Sequence, residues 1–344
     1  MNRKNESGNR TTAGHPTTSQ TASGDRQSPK SVSQAARTFQ GQAPQLIDLV
    51  VDRMDPAGNI LLGITLADAE KAVREGDVDA VRKIRGQFAI CQVAGKTVRM
   101  ARSIGRPMRY FLAKRTEGPA LIIAERIDEI AQQLAAEKLL DQFDPRYTRM
   151  VPAHHLLELQ LVGCPDPNPS LQRFFAPLPN RLPADIDAIG KQDIEKLAEV
   201  CDAFLETIPE NDPIGIPFSG GIDSGSVLLV VDFLMRRRGQ SPARLKAFTL
   251  GVTGSDHDDQ AADIAQAREF LRCTGHEMML EPITVRADDV SWQHAVRLIE
   301  DYKPLDVQSA TMAVALLKAI RRRYPDWKYL IDGDGGDENL KDYP

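Results

Sequence analysis

The sequence predicts two folded parts: an α+β part over residues 42–163, then over residues 187–344 an α/β part built on a parallel sheet with helices on both faces. Strand-length apolar runs alternate with helix-length segments from residue 189 to residue 331, and such alternation means a sheet covered on both sides, with ligands at the carboxyl ends of its strands. The first of these runs, IGIPF at 214–218, has the length and composition of a buried parallel strand and empties directly into a Ser/Gly turn. The earlier part is rich in short strand-like runs with few helical stretches between them.

In chain order, residues 1–41 are crowded with Ser, Thr, Gly, Asn and Gln and nearly lack large apolar side chains. Such a segment buries too little surface to offset the entropy of ordering, so a disordered tail is expected, its mild positive excess keeping it solvated. Strands are predicted at 46–51, 88–93, 97–102, 109–113 and 120–124, and helices at 67–74 and 127–137. Ala94 and Gly95 supply a tight hairpin turn between the second and third strands. Six prolines between Cys164 and Pro183 forbid regular helix, so residues 164–186 read as a linker wrapped over the surface and anchored by Phe174 and Phe175. His154 and His155 lack the spacing of a metal pair, because adjacent residues point different ways on any regular element.

The second part opens with a helix at 189–207. Strand 214–218 then feeds helix 223–237, strand 245–252 feeds helix 258–272, strand 277–282 feeds helices at 290–300 and 309–323, and strand 328–331 comes last. Arg236–Arg238 and Arg321–Arg323 each close a helix, where cations oppose the negative end of the dipole; this account is preferred to phosphate or nucleic-acid contact.

Composition narrows the function. A chain of 344 residues with 42% hydrophobic and 26% charged side chains supports two ordinary cores. The net charge of −5 gives no basic footprint for nucleic acid. Cys91, Cys164, Cys201 and Cys273 lie far apart with no CxxC pair, which argues against a disulfide framework or a zinc site. No apolar run approaches eighteen residues and no signal-peptide core is present, so no membrane association and a cytoplasmic location are expected.

The turn at 219–224, SGGIDS, is a phosphate grip. Gly220 and Gly221 admit backbone angles closed to other residues, so successive N–H groups converge on an anion; Ser219 and Ser224 add hydroxyl donors, and the following helix aims its positive end at the same place. Asp223 inside such a loop repels a phosphate unless a divalent cation lies between them, which points to Mg²⁺. Asp332, Asp334, Asp337 and Glu338, laced with Gly333, Gly335 and Gly336, read as the other half of that cation site. By itself the first turn is equally a plain Ser/Gly turn before a helix; the second element favours the functional reading.

Together, SGGIDS and DGDGGDE resemble the nucleotide hydrolases that split ATP between its α and β phosphates, and among them the synthetase domain of the asparagine synthetase family. No GxxxxGK[ST] is present, which separates the loop from a Walker motif. The resemblance implies an adenine nucleotide alpha hydrolase-like fold, ATP held by Pro217, Ser219, Gly220, Gly221, Asp223, Ser224, Leu250 and Gly333, and magnesium held by Asp223 and Asp337. Asp258 matches an acidic residue near ATP and equally suits the N-cap of its helix. Asp334 stands where the family has a glutamate acting on the amine nucleophile. Residues 300–311 lie where the family binds the acid to be activated, and Lys303 there has two readings, a carboxylate anchor or a solvated side chain.

The run at 86–111 resembles the glutaminase-type (Ntn) domain that precedes the synthetase domain in glutamine-dependent members. In that domain the nucleophile is a cysteine at the start of the mature chain. Here Asn2 follows Met1, the first cysteine is Cys91 inside a predicted strand, and Ser103 replaces the aspartate of an Arg-Asp pair after Arg102. A glutaminase fold without glutaminase activity is therefore expected, as in β-lactam synthetases and lasso-peptide cyclases. The implied reaction joins a small-molecule or peptide carboxylate to ammonia or an amine at the expense of ATP. The sequence ends six residues after Glu338, whereas the family continues into a helical region with a catalytic lysine. The expectation is a fragment, a partner chain or homodimer that completes the site, or a catalytically silent nucleotide-binding or scaffolding subunit.

Overall fold

The computed structural model describes residues 37–38, 45–50, 58–161, 168–177, 182–254 and 260–335, all within one compact unit, Ala35–Pro344. Its first part contains strands β1 (Arg37–Thr38), β2 (Gln45–Asp48) and β3 (Ile60–Leu62), helices α1 (Leu66–Glu75) and α2 (Val78–Arg82), and strands β4 (Arg85–Gln87), β5 (Ala89–Ala94), β6 (Thr97–Arg102), β7 (Arg109–Ala113) and β8 (Ala120–Ala124). Helix α3 (Ile127–Ala136) and strands β9 (Arg149–Met150), β10 (His155–Gln160) and β11 (Ser170–Arg173) complete it.

Two sheets form, one in the order β1-β2-β8-β7-β9 and one in the order β11-β10-β6-β5, with β3 and β4 paired separately. Alternation along the strands sorts the side chains into three cores. Cys91, Met100, Leu121, Ile123 and Leu157 fill the space between the sheets. Their neighbours Ile90, Ala101 and Leu156 face outward to α1 and α2, and Ile122 faces outward to α3, where Ile130 and Leu134 meet it. The result is four layers, helix-sheet-sheet-helix. Each fully buried Leu or Ile contributes about 1.5–3 kcal/mol.

The second part contains α4 (Ile186–Leu205), β12 (Ile214–Pro217), α5 (Ile222–Arg237), β13 (Leu245–Thr253), α6 (Gln260–Thr274), β14 (Leu280–Arg286), α7 (Trp292–Ile299), α8 (Pro304–Arg323) and β15 (Tyr329–Leu330). Its sheet runs β14-β13-β12-β15 with every pairing parallel. Ile214, Ile216 and Ala247 pack on one face against Cys201 and Leu205 of α4, Val231 of α5 and Leu271 of α6. Phe248, Ile283 and Val285 pack on the other face against Ala315, Leu316 and Ala319 of α8. Helices cover both faces, as the alternation predicts.

Several expectations are corrected. The strand expected at 277–282 is shifted toward the C-terminus: Glu277–Met279 form a 3-10 turn, Met278 is 94% exposed, and pairing starts at Leu280, opposite Ala247, and runs to Arg286. Helix α8 begins at Pro304 rather than at residue 309. The hairpin turn between β5 and β6 is centred on Gly95 and Lys96, because Ala94 already pairs with Thr97. The proline-rich passage is not all linker, since β11 lies within it and pairs antiparallel with β10. Phe174 is buried and stacks on Phe88 at 6.2 Å, whereas Phe175 is half exposed and meets only the His154 ring edge among the described aromatic contacts. Cys164, and the tail apart from Arg37 and Thr38, lie outside the described residues.

The two parts are joined by a reciprocal cap. Glu300, the left-handed residue that ends α7, accepts a hydrogen bond from the Ile127 N–H at the start of α3 and pairs with Arg109 Nε at 2.5 Å. In return, Arg126 donates to the Leu298 carbonyl at 2.9 Å and the Arg297 carbonyl at 2.6 Å, satisfying the last carbonyls of α7.

Candidate functional site

At the carboxyl end of β12 the backbone is fixed before it turns. The Phe218 N–H donates to the Phe248 carbonyl at 2.8 Å, and Thr249 Oγ1 donates to the Phe218 carbonyl at 2.8 Å. The chain then reverses through Ser219–Gly221. Gly220 sits at φ +81°, and a Cβ there falls 2.8 Å from the Ala267 nitrogen of α6, so both its angle and its surroundings require glycine. Gly221 is the N-cap of α5, which has no side-chain cap. Ser219 Oγ accepts from the Gly221 N–H at 3.2 Å and lies 3.3 Å from Ser224 Oγ, which orients both hydroxyls within the turn. Gln266 Nε2 donates to the Gly220 carbonyl at 3.4 Å, tying the turn to α6.

The last strand delivers the second glycine turn to the same place. β15 pairs in parallel with β12, and the Ile331 N–H donates to the Gly215 carbonyl at 2.9 Å. Two residues on, Gly333 packs against the first turn of α5: a Cβ there falls 2.9 Å from the Cα and nitrogen of Ser224 and 3.0 Å from the Asp223 carbonyl carbon. The Asp334 N–H donates to Asp332 Oδ1 at 3.3 Å, which shapes the turn.

Between these turns and α8 lies a cleft of about 800 Å³. Of the residues singled out from the sequence, it brings together Ser219, Asp223 and Ser224 of the first turn, Asp332, Gly333, Asp334 and Gly335 of the second, and Pro217 and Leu250 from the ends of β12 and β13. Gly220 and Gly221 shape the turn from behind and are not among the lining residues. Asp258 and Asp337, together with Gly336 and Glu338, lie outside the described residues.

The third wall begins within residues 300–311, where Leu305, Asp306 and Ser309 line the cleft, and runs on past that stretch along α8. Leu305, Ser309, Met312, Ala313, Leu316 and Leu317 line the cleft at spacings of one helical face. That periodicity from Pro304, a residue favoured at the first helical position, is the signal that marks them in the sequence. Asp263 and Asp306 also line the cleft. Lys303 is not a lining residue; its ammonium lies 3.3 Å from Asp301 and 3.4 Å from Asp306, and these carboxylates, Asp301 first, raise its pKa.

The glutaminase-like features fall elsewhere. Cys91 is 2% exposed, between the two sheets. Arg102 donates to the carbonyls of Val151, Ser103 and Arg106, and its pKa is lowered by burial and by Arg109. Ser103 Oγ accepts from the Phe88 N–H at 2.9 Å.

The arrangement suits an adenine nucleotide: an uncapped helix N-terminus and a glycine turn face a cleft lined by strand ends. It also admits a magnesium ion. Among the described residues no group of three or more metal-ligating side chains converges, and this ion commonly takes one or two carboxylates with substrate phosphates completing its shell. Asp223 and Asp334 face the same cleft.

Residues 202–344 match the family model described as asparagine synthase. Among curated proteins, the amidase chyE of Penicillium rubens is 29% identical over 143 residues, 38% of this chain and 20% of that protein. The chain thus spans about a fifth of the length of this relative. Among solved structures, an NH3-dependent NAD synthetase from Campylobacter jejuni, in complex with the nitrate ion, aligns with a TM-score of 0.29 at 13% identity, covering 45% of this chain and 60% of that one. No helix among the described residues is long and apolar enough to cross a membrane.

Proposed function

We propose, from the match of residues 202–344 to the asparagine synthase family model, that the chain is an ATP-dependent amide-forming ligase. It activates a carboxylate as its adenylate, releasing pyrophosphate, and passes the acyl group to ammonia or an amine, releasing AMP. The observation that carries this reading is the packing of Gly333 on the Asp223–Ser224 backbone, which sets the two glycine-and-carboxylate turns side by side in one cleft.

In this reading the main-chain N–H groups around Gly220 and Gly221 and the hydroxyls of Ser219 and Ser224 hold the β and γ phosphates. Pro217 and the backbone at Leu250 flank the adenine, and Gly333 lets the second turn approach the nucleotide. Asp258 has two uses, at the nucleotide or as an N-cap. Asp223 and Asp337 hold magnesium, which when bound neutralises charge on the pyrophosphate leaving group. The chain's contribution is positioning: it aligns the acid with the α-phosphorus and excludes water from the adenylate. Asp334 acts on the nucleophile side, accepting a proton as the amine attacks the acyl carbon.

The first part is read as a glutaminase-type fold without glutaminase activity. Its four-layer architecture supports the fold, and the burial of Cys91, together with the use of Arg102 to bind its own backbone, supports the loss. The nitrogen is then free ammonia or an amine already on a small-molecule or peptide substrate, in a cytoplasmic setting.

Isotope exchange between labelled pyrophosphate and ATP, across a broad panel of acids, tests the proposal. Exchange that depends on an acid and disappears in Asp223→Asn supports adenylation. Absence of exchange with every acid, in a protein that still binds ATP, favours a silent nucleotide-binding subunit.

A further inference from the structure

We propose that the acid taken by this cleft has an apolar body and no second carboxylate, an aliphatic or aromatic monocarboxylic acid rather than an aspartate-like one. The inference rests on the reading of the cleft as an acyl-activating site and adds the substrate class. One wall of the cleft is the face of α8 that carries Leu305, Met312, Ala313, Leu316 and Leu317, with Ser309 among them. These side chains are more than a buried seam: Leu305 is 66% exposed, Leu317 43% and Met312 40%. Apolar area of this size, opposite a polar anion-binding turn, gains stability when an apolar ligand covers it, at roughly 25 cal/mol per Å².

Charge points the same way. Asp223, Asp263, Asp306, Asp332 and Asp334 all line the cleft. One ligand carboxylate reaching the nucleotide is offset by the donors of the first turn and by magnesium. A second carboxylate, placed toward α8, meets Asp306 instead. Lys303, the residue at this place able to hold such a group, is already bound by Asp301 and Asp306. Among the described residues no Lys, Arg or His lines the cleft.

Equilibrium binding of radiolabelled phenylacetate and of L-aspartate to the full chain, with Mg²⁺ and a non-hydrolysable ATP analogue present, tests the inference. Saturable phenylacetate binding at least tenfold tighter than aspartate is expected. Met312→Asp, at a half-exposed position that tolerates a polar residue, weakens phenylacetate at least tenfold, and Met312→Arg narrows the preference. Aspartate binding as tightly as phenylacetate, a Met312→Asp variant that binds phenylacetate unchanged, or no phenylacetate binding at all would overturn the inference. The pyrophosphate exchange assay is read separately. Exchange that prefers aspartate sinks the apolar class and leaves the ligase standing, whereas apolar binding without exchange sinks the ligase and leaves the apolar pocket standing.

Discussion

Gly333 touches the backbone of Ser224 so closely that a methyl group at 333 lies 2.9 Å from both the Cα and the nitrogen of its partner. Backbone cannot step aside as a flexible side chain can. Gly333→Ala therefore pushes the second turn away from the start of α5, at a cost of about 1–3 kcal/mol. The expected result is at least a tenfold loss of ATP affinity by calorimetry with an unchanged far-UV circular dichroism spectrum. Unchanged affinity removes the close approach from the account.

Glu300 is the joint between the two parts, and Arg109 beside it keeps only 16% of its side chain exposed. Removing the carboxylate leaves a buried guanidinium and the first N–H of α3 without their partner. Glu300→Ala is expected to lower unfolding stability by about 3 kcal/mol, read by urea denaturation. A change below about 0.5 kcal/mol means that the cap contributes little.

Cysteine chemistry separates a buried structural thiol from a nucleophile. Cys91 and Cys201 are buried, and burial pushes the Cys201 thiol up to about 11. Cys273 is exposed, its thiol raised by the hydrogen bond to Glu269. Iodoacetamide at pH 8 followed by peptide mass spectrometry is expected to label Cys273 slowly, and Cys91 and Cys201 only after denaturation. Rapid native labelling of Cys91 contradicts its assignment as packing.

Asp202 of α4 takes a hydrogen bond from Arg238 Nε at 2.8 Å and lies 3.3 Å from Arg237. The Arg238 bond, then the charges of Arg238 and Arg237, hold its pKa below the ordinary 3.8. A carboxylate depressed in the folded state adds stability above its unfolded pKa and loses it as pH falls through the folded one. Asp202→Asn is thus expected to be less stable than the parent by about 1 kcal/mol at pH 7, with the gap closing below pH 3.8. A gap that persists unchanged to pH 2.5 assigns the loss to packing.

Much of the second part was legible because strand length and helix period there are set by burial on both faces. Ile214 and Ile216 read as a strand and pack as one, and Gly220 and Gly333 stand where only glycine fits. The misreadings have physical causes. Met278 looks like strand composition, yet the strand starts where β13 offers a partner, at Leu280. Ser170–Arg173 is exposed throughout and carries no apolar alternation, so only pairing with β10 reveals it as a strand. The Glu300–Arg109 joint spans 191 positions of chain, and nothing local announces it. The period of α8 is legible over 309–323, and its first turn is not, because a proline in sequence signals a break as readily as a first helical position.

The central claim is that Asp223 and the second glycine turn hold magnesium pyrophosphate between them. It is tested most directly by calorimetric titration of a non-hydrolysable ATP analogue into the parent and Asp223→Asn, each with Mg²⁺ and with EDTA. The account predicts that Mg²⁺ tightens binding at least tenfold in the parent and has little effect in the variant. Equal tightening by Mg²⁺ in both proteins would contradict it.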